Sequence, residues 1–373
     1  MIPITRPAVG DEEAAAAAEV VRSGWLTQGQ RVADFEAAVA GYVGARHAVA
    51  TSNCTTALHL ALLAAGVRAG DEVICPSFTF IATANAIVHA GATPVFVDID
   101  PQTYNVTPEL VERAVTPRTR AIVPVSQIGL AADTPAIMEI ARRHGLLVVE
   151  DAAPSLGATV GEARTGSLAD FTCFSFHPRK SITTGEGGIV TTNDGESAAM
   201  LRRIRSHGAS TSDLERHRSA GPAIEQYLDL GYNYRMTDIQ AAIGLVQLRR
   251  LDAILAERRS LALRYNDLLA GDGRFVTPHE PPGFRHTYQS YCVRLQTRRP
   301  REAIMAELAR KDIATRRGVM AIHLEPWYRA RFPGVSLPET ERAAEETLLL
   351  PLFAGMTHEE QDEVVRQLKR AAG

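Results

Sequence analysis

Cysteine is scarce in this chain, with four in 373 residues: Cys54, Cys75, Cys173 and Cys292. They are far apart and make neither a CxxC pair nor a zinc-knuckle spacing. That excludes a disulfide scaffold and a cysteine-built metal centre, and no metal is expected; reduced, mostly buried thiols are. An excess of one charge is also missing. Lys plus Arg is 40 against 43 for Asp plus Glu, a net charge of −3, which excludes a protein that grips nucleic acid through a basic field. Long apolar runs are absent. Ala57–Val67 is among the longest, and His59 interrupts it, well short of the roughly 18 residues a membrane span needs. The opening residues hold no apolar leader, and Asp11, Glu12 and Glu13 soon follow. Neither a membrane span nor a secretory leader is expected, and a cytoplasmic location is. Internal repeats and low-complexity tails are likewise lacking.

What remains is the composition of a folded globular protein, 45% apolar and 22% charged. At about 150 residues per domain, the length suits one large domain or a large one with a smaller companion. The pattern begins with two helices, Asp11–Ser23 stopping at Gly24 and Gln30–Val43 stopping at Gly44. Short apolar runs then alternate with helical segments. Strands are expected at Ala48–Thr51, Glu72–Cys75, Thr93–Val97, Ala121–Val125 and Leu146–Glu150. Helices are expected at Thr55–Ala65, Phe80–His89, Glu109–Val115 and Asp133–His144. This is the signature of βαβ units around a mostly parallel sheet, an α/β fold. Such sheets bind ligands beyond the carboxyl ends of their strands, so the loops after Thr51, Cys75 and Glu150 carry the interest. Past about Gly195 helices dominate, and a smaller α+β region follows, with a strand at Tyr291–Leu295 and a final helix capped by Thr357 and Glu360. Gly271–Gly283 reads as a hinge, and the polar stretch His207–Glu225 as a mobile loop.

Four features stand at strand ends. Ser52-Asn53-Cys54-Thr55-Thr56 opens a helix, where free N–H groups and Thr hydroxyls suit a phosphate, although such residues also serve as ordinary caps. In Pro76-Ser77-Phe78-Thr79-Phe80 an aromatic could cover a flat ring or simply pack in the core. Asp151 follows an apolar strand and precedes two alanines. It could hold a protonated ring nitrogen, or act as a helix cap or structural ion-pair partner. Lys180 stands in a turn after the strand Phe171–Phe176, just before a Gly185-Glu186-Gly187-Gly188 stretch. It could be a Schiff-base amine or a solvated lysine. Phosphate loop, aromatic, anion and lysine together match pyridoxal 5′-phosphate, which carries a phosphate, a flat pyridine, a basic nitrogen and an aldehyde.

The blocks Gly24–Gly29, Pro76–Ala82, Glu150–Ala153, Phe174–Gly188, Gly231–Asp238 and Leu350–Phe353 resemble the DegT/DnrJ/EryC1/StrS family of pyridoxal-phosphate sugar aminotransferases, from about Pro3 to the end. The resemblance implies an aspartate-aminotransferase-like fold (type I). It implies a large domain over 1–250 and a small one over 251–373, with segment 1–25 against the small domain. It further implies a homodimer with shared active sites. Lys180 would form the Schiff base, Asp151 would pair with the ring nitrogen and Phe80 would stack on the ring. Cys54, Thr55 and Ser175 would hold the phosphate, and Asn233 would reach it from the neighbouring subunit. The expected reaction is ping-pong transfer from L-glutamate to a nucleotide-linked keto sugar, through pyridoxamine phosphate. Thr27, Tyr232, Arg235 and His323 are candidate substrate contacts. Three residues depart from the family pattern: Cys54 where Gly is frequent, Pro154 where Gln or His is frequent, and Ser126 where His is frequent. Competing readings are a keto-cyclitol aminotransferase using L-glutamine, another pyridoxal enzyme such as a lyase or desulfurase, and a non-catalytic pyridoxal-phosphate-binding regulator.

Overall fold

A computed structural model describes residues 1–211 and 225–373. Most of the stretch expected to be a mobile loop, its residues 212–224, therefore lies outside the described residues.

The centre is a seven-stranded sheet. Its strands are β1 (His47–Thr51), β2 (Glu72–Pro76), β3 (Thr93–Val97), β4 (Thr119–Ile122), β5 (Leu147–Asp151), β8 (Phe171–Ser175) and β9 (Gly188–Thr192). The spatial order is β1-β9-β8-β5-β4-β2-β3. All neighbours from β8 to β3 run parallel, and β9 alone is antiparallel to both its partners. Between β5 and β8 the short strands β6 (Thr159–Val160) and β7 (Ala163–Arg164) join β11 (Phe284–Arg285) in a separate small sheet of order β11-β6-β7.

Both faces of the central sheet are apolar because both are covered. Val49, Val73, Val149 and Val190 point into one cluster with Leu58, Ile87 and Leu201. These last come from helices α3 (Cys54–Ala64), α4 (Ala82–His89) and α7 (Gly195–Ile204). Their strand neighbours Ala50, Ile74, Val148 and Ile189 point the other way. There they meet α2 (Gln30–Val43), α5 (Pro108–Arg113), α6 (Thr134–His144) and the 32-residue helix α8 (Asp238–Leu269). The two-residue period of a strand sends neighbours to opposite faces, so a doubly covered strand reads as an unbroken apolar run. Several expected boundaries shift by a residue or more, among them those of β4 and β5. Pro124 has no N–H to give, and β4 ends at Ile122 instead of Val125. β5 runs on to Asp151, which stays in register with Cys173 of β8.

The C-terminal region builds a four-stranded antiparallel sheet of order β10-β12-β14-β13 from Phe275–Val276, Tyr291–Leu295, Thr347–Leu350 and Arg316–Arg317. Its core joins Tyr265 and Leu269 at the end of α8 to Val293, Leu348, Val364 and Leu368. The last helix, His358–Ala372, starts on the expected capping box: the Glu360 N–H donates to Thr357 Oγ1 at 3.1 Å. The expected hinge Gly271–Gly283 contains β10, whose Phe275 is buried in this core.

The N-terminal segment touches both regions. Ile2 exchanges backbone hydrogen bonds with Asp312 and Ala314, and Ile4 accepts from Leu352. Glu13 of α1 (Asp11–Ser23) then accepts from Gln247 and Arg250 on α8.

Candidate active site

The loops singled out by strand order converge at one end of the sheet. Asp151, the last residue of β5, is fixed by the ladder to β8, and its N–H donates to the Pro124 carbonyl at 2.9 Å. Thr83 Oγ1 donates to Asp151 Oδ2 at 2.6 Å, and the Ala153 N–H donates to Oδ1 at 3.1 Å. Thr79 Oγ1 lies 2.9 Å from Thr83 Oγ1. A hydroxyl has one proton and Thr83 gives its own to Asp151, so Thr79 is the donor of that second bond. Burial pushes the Asp151 carboxyl up, while Thr83, Ala153 and the Lys180 charge pull it down.

Lys180 stands where β8 leaves the sheet; its N–H donates to the His177 carbonyl at 2.8 Å. Burial of the amine lowers its pKa, and Arg179 adds to this, against the opposing pull of Cys54 and Asp151. The amine therefore sheds its proton more readily than a surface lysine.

Across from them α3 begins. Asn53 caps it by accepting from the Thr56 N–H at 3.0 Å, and Thr56 Oγ1 returns a bond to the Asn53 carbonyl at 2.7 Å. That cap serves the third N–H of the helix. The N–H groups of Cys54 and Thr55, the first two, have no acceptor among the described residues. Gly188 of β9 lies beneath this loop, where a Cβ would come 2.4 Å from the Asn53 backbone. The Ser52 N–H is held by the Tyr234 carbonyl at 2.8 Å.

Two cavities meet here. One, of about 780 Å³, is lined by Cys54, Thr55, Ser175 and Tyr234. The other, of about 680 Å³, is lined by Pro154, Gln289, Arg316 and Arg317. Phe80, Asp151, Ala153, Arg179 and Lys180 line both. Phe80 is 65% exposed, an aromatic face offered on the shared wall.

Six predicted residues thus come together within one chain: Cys54, Thr55, Phe80, Asp151, Ser175 and Lys180. Thr27, Tyr232, Asn233, Arg235 and His323 line neither cavity. Tyr232 stacks on Tyr234 at 4.9 Å and meets the His59 ring at 5.0 Å. Asn233 bridges to Ser206, and the Thr27 carbonyl accepts from the Asp238 N–H. His323 stands away from both cavities of its own chain. It is 2% exposed, with Nδ1 2.7 Å from Ser77 Oγ and Nε2 3.2 Å from Glu341 Oε1, so both ring nitrogens are engaged. Ser126 is also turned away: its hydroxyl donates to Glu150 Oε1 at 2.5 Å inside the core. Pro154 does line the second cavity.

The residues that sequence reasoning passed over are Thr83, Arg179 and Arg316. Thr79 and Thr83 are four apart at the entry to α4, a faint local signal; nothing local ties Arg316 to Lys180.

This lining fits pyridoxal phosphate. Two unclaimed N–H groups at a helix start and the Thr55 and Ser175 hydroxyls suit the phosphate. Asp151 suits the ring nitrogen, Lys180 the aldehyde, and Phe80 a flat face. Cys54 is unsuited to nucleophilic work, because burial raises its thiol pKa. Among the described residues no cluster of side chains could hold a metal, and no helix is long and apolar enough to cross a membrane.

Known proteins resemble the chain along its whole length. A curated relative, the spore coat polysaccharide biosynthesis protein SpsC of Bacillus subtilis, is 39% identical over 99% of this chain and 96% of its own. The crystal structure of the aminotransferase TlmJ from Streptoalloteichus hindustanus superposes with a TM-score of 0.92 at 35% identity, covering 100% of this chain and 98% of that one. A putative sugar aminotransferase from Streptococcus pneumoniae, Spr1654 in its PMP form, gives 0.93 at 30% identity over 100% and 99%. The model of the DegT/DnrJ/EryC1/StrS aminotransferase family matches residues 7–369. With the fold and site already described, the match over nearly the whole chain makes this protein a member of that family.

Proposed function

We propose that this aminotransferase moves an amino group from L-glutamate to the keto group of a nucleotide-linked keto-deoxy sugar, with pyridoxal phosphate as cofactor. The observation that carries the reading is the shared wall, where Lys180 and Asp151 face both cavities at once. One cavity suits the cofactor's phosphate and ring, and the other is free to admit a substrate. When bound, the cofactor supplies an electron-withdrawing ring that stabilises charge on the carbon losing its proton. The N–H groups of Cys54 and Thr55, with the Ser175 hydroxyl, bind the phosphate. Phe80 covers one ring face and orients it. Asp151, whose anion Thr83 and Ala153 favour against the effect of burial, holds the ring-nitrogen proton. Lys180 has a lowered pKa and takes the proton from the donor carbon as general base, then returns it on the other side of the transfer.

The acceptor class is supported by the resemblance and by the relatives. One works in polysaccharide biosynthesis and another is a putative sugar aminotransferase. Asn233 lies off the cavity of its own chain, and we assign it to the neighbouring site of a homodimer. A mixture of Asn233→Ala and Lys180→Ala chains would then recover activity that neither has alone.

The direct test incubates the cofactor-loaded protein with L-glutamate, then with a panel of nucleotide-linked keto sugars. Wild type should lose its visible absorbance with the donor and regain it with the right acceptor. Lys180→Ala should do neither, and full activity in that variant would end the assignment.

A further inference from the structure

The second cavity is rich in positive charge. Arg179, Lys180, Arg316 and Arg317 line it, and Asp151 is its one acidic lining residue among those described. Arg317 is paired with Glu325 at 3.4 Å. Neither Arg179 nor Arg316 pairs with a carboxylate among the described residues. Their backbones are anchored from opposite sides. The Arg179 N–H donates to His177 Nδ1 at 3.2 Å, and its carbonyl accepts from Gln289 Nε2 at 2.5 Å. Arg316 sits on the edge strand of the small sheet, in register with Leu349. Burial lowers the Arg179 pKa, and the Arg316 charge lowers it further. Two like charges thus look into one space, an arrangement that an oxyanion between them would relieve.

We propose that Arg179 and Arg316 form a carboxylate subsite that seats the amino donor beside Lys180; this rests on the aminotransfer reading above. A planar guanidinium presents paired N–H groups that match a carboxylate. The phosphates of a nucleotide-linked acceptor share that oxyanion chemistry, but position favours the donor. In an amino acid the carboxylate is one bond from the carbon that carries the amine. It must therefore lie next to Lys180, and Arg179 is the adjacent residue of the chain. In the acceptor a whole sugar ring separates the reacting carbon from the phosphate.

The test uses cofactor-loaded wild type, Arg316→Gln and Arg316→Lys. The donor half-reaction is followed with L-glutamate, and calorimetry measures binding of glutarate and, separately, of uridine diphosphate. Arg316 is exposed, so the variants should keep the wild-type absorbance maximum. Loss of a charge-assisted bond should raise the half-saturating L-glutamate concentration and weaken glutarate by about 10- to 100-fold in Arg316→Gln. The limiting rate and uridine diphosphate binding should stay near wild type, and Arg316→Lys should recover only part of the loss. Unchanged glutarate binding and half-saturation would overturn the subsite. So would weakened uridine diphosphate with intact glutarate, which would give these arginines to the acceptor. A loaded wild type that ignores every amino donor would instead refute the aminotransfer reading itself.

Discussion

Thr83→Val tests the polar chain under Asp151 with little change in shape. Valine replaces one hydroxyl with a methyl, so the start of α4 keeps its packing. The bond removed is the 2.6 Å donation to Asp151 Oδ2. A hydrogen bond to a charged group contributes about 1.5–3 kcal/mol, and one pH unit of pKa corresponds to roughly 1.4 kcal/mol. Burial already pushes the carboxyl up and Thr83 leads the opposing groups. Without it the opposing pull weakens and the pKa should rise further. The anion would then form only at higher pH, and the acidic limb of kcat should move the same way. The assay is the donor half-reaction with L-glutamate from about pH 5 to 9 in wild type, Thr83→Val and Thr83→Ser. Serine restores the hydroxyl and should bring the limb back. A Thr83→Val profile lying on the wild-type curve, in protein with normal absorbance, would refute the claim that Thr83 keeps Asp151 charged.

Two further outcomes follow from neighbouring residues. Glu150 has its carboxyl pushed from 4.5 to about 7 by burial, against the pull of Ser126, Thr172 and Thr134. The folded state therefore holds this proton more tightly than the unfolded chain. The stabilisation is complete below pH 4.5 and is lost as the pH rises through about 7. At roughly 1.4 kcal/mol per pH unit the loss is about 3 kcal/mol. Glu150→Gln should flatten the fall in denaturant stability between those limits, and an unchanged slope would count against it. Gly188→Ala places a methyl 2.4 Å from the Asn53 backbone. Overpacking costs about 1–3 kcal/mol, and if that strain falls on the loop, pyridoxal phosphate should bind roughly 5- to 100-fold more weakly. Equilibrium dialysis against the phosphate ester would measure it, and unaltered affinity would show that the loop gives way without loss.

Much of this was legible in the chain itself. The parallel strands appeared as short apolar runs because a sheet covered on both faces needs no alternation. Asp151 and Lys180 could be read because strand ends, glycines and small neighbours mark them locally. Thr83 and Arg316 could not be read in the same way. Each is placed by residues at a distant sequence position, Thr83 bonded to Asp151 and Arg316 lining one cavity with Lys180, and only the closure of the sheet and the placement of the C-terminal region bring them together. The burial of His323 was not legible either, because the partners of its two ring nitrogens, Ser77 and Glu341, lie elsewhere in the sequence. Glu150, next to Asp151 in sequence, points the opposite way for the reason any strand residue does.

The loop before α3 is gripped on two sides, by β9 passing under it at Gly188 and by the Tyr234 carbonyl above Ser52. Its rigidity is thus settled while the chain folds and does not wait for a guest. A vitamin-derived anion arriving there finds the donors already aimed, so the entropy of arranging them is not charged to its affinity. Loosening either grip would leave the same atoms in place and still make a poorer host.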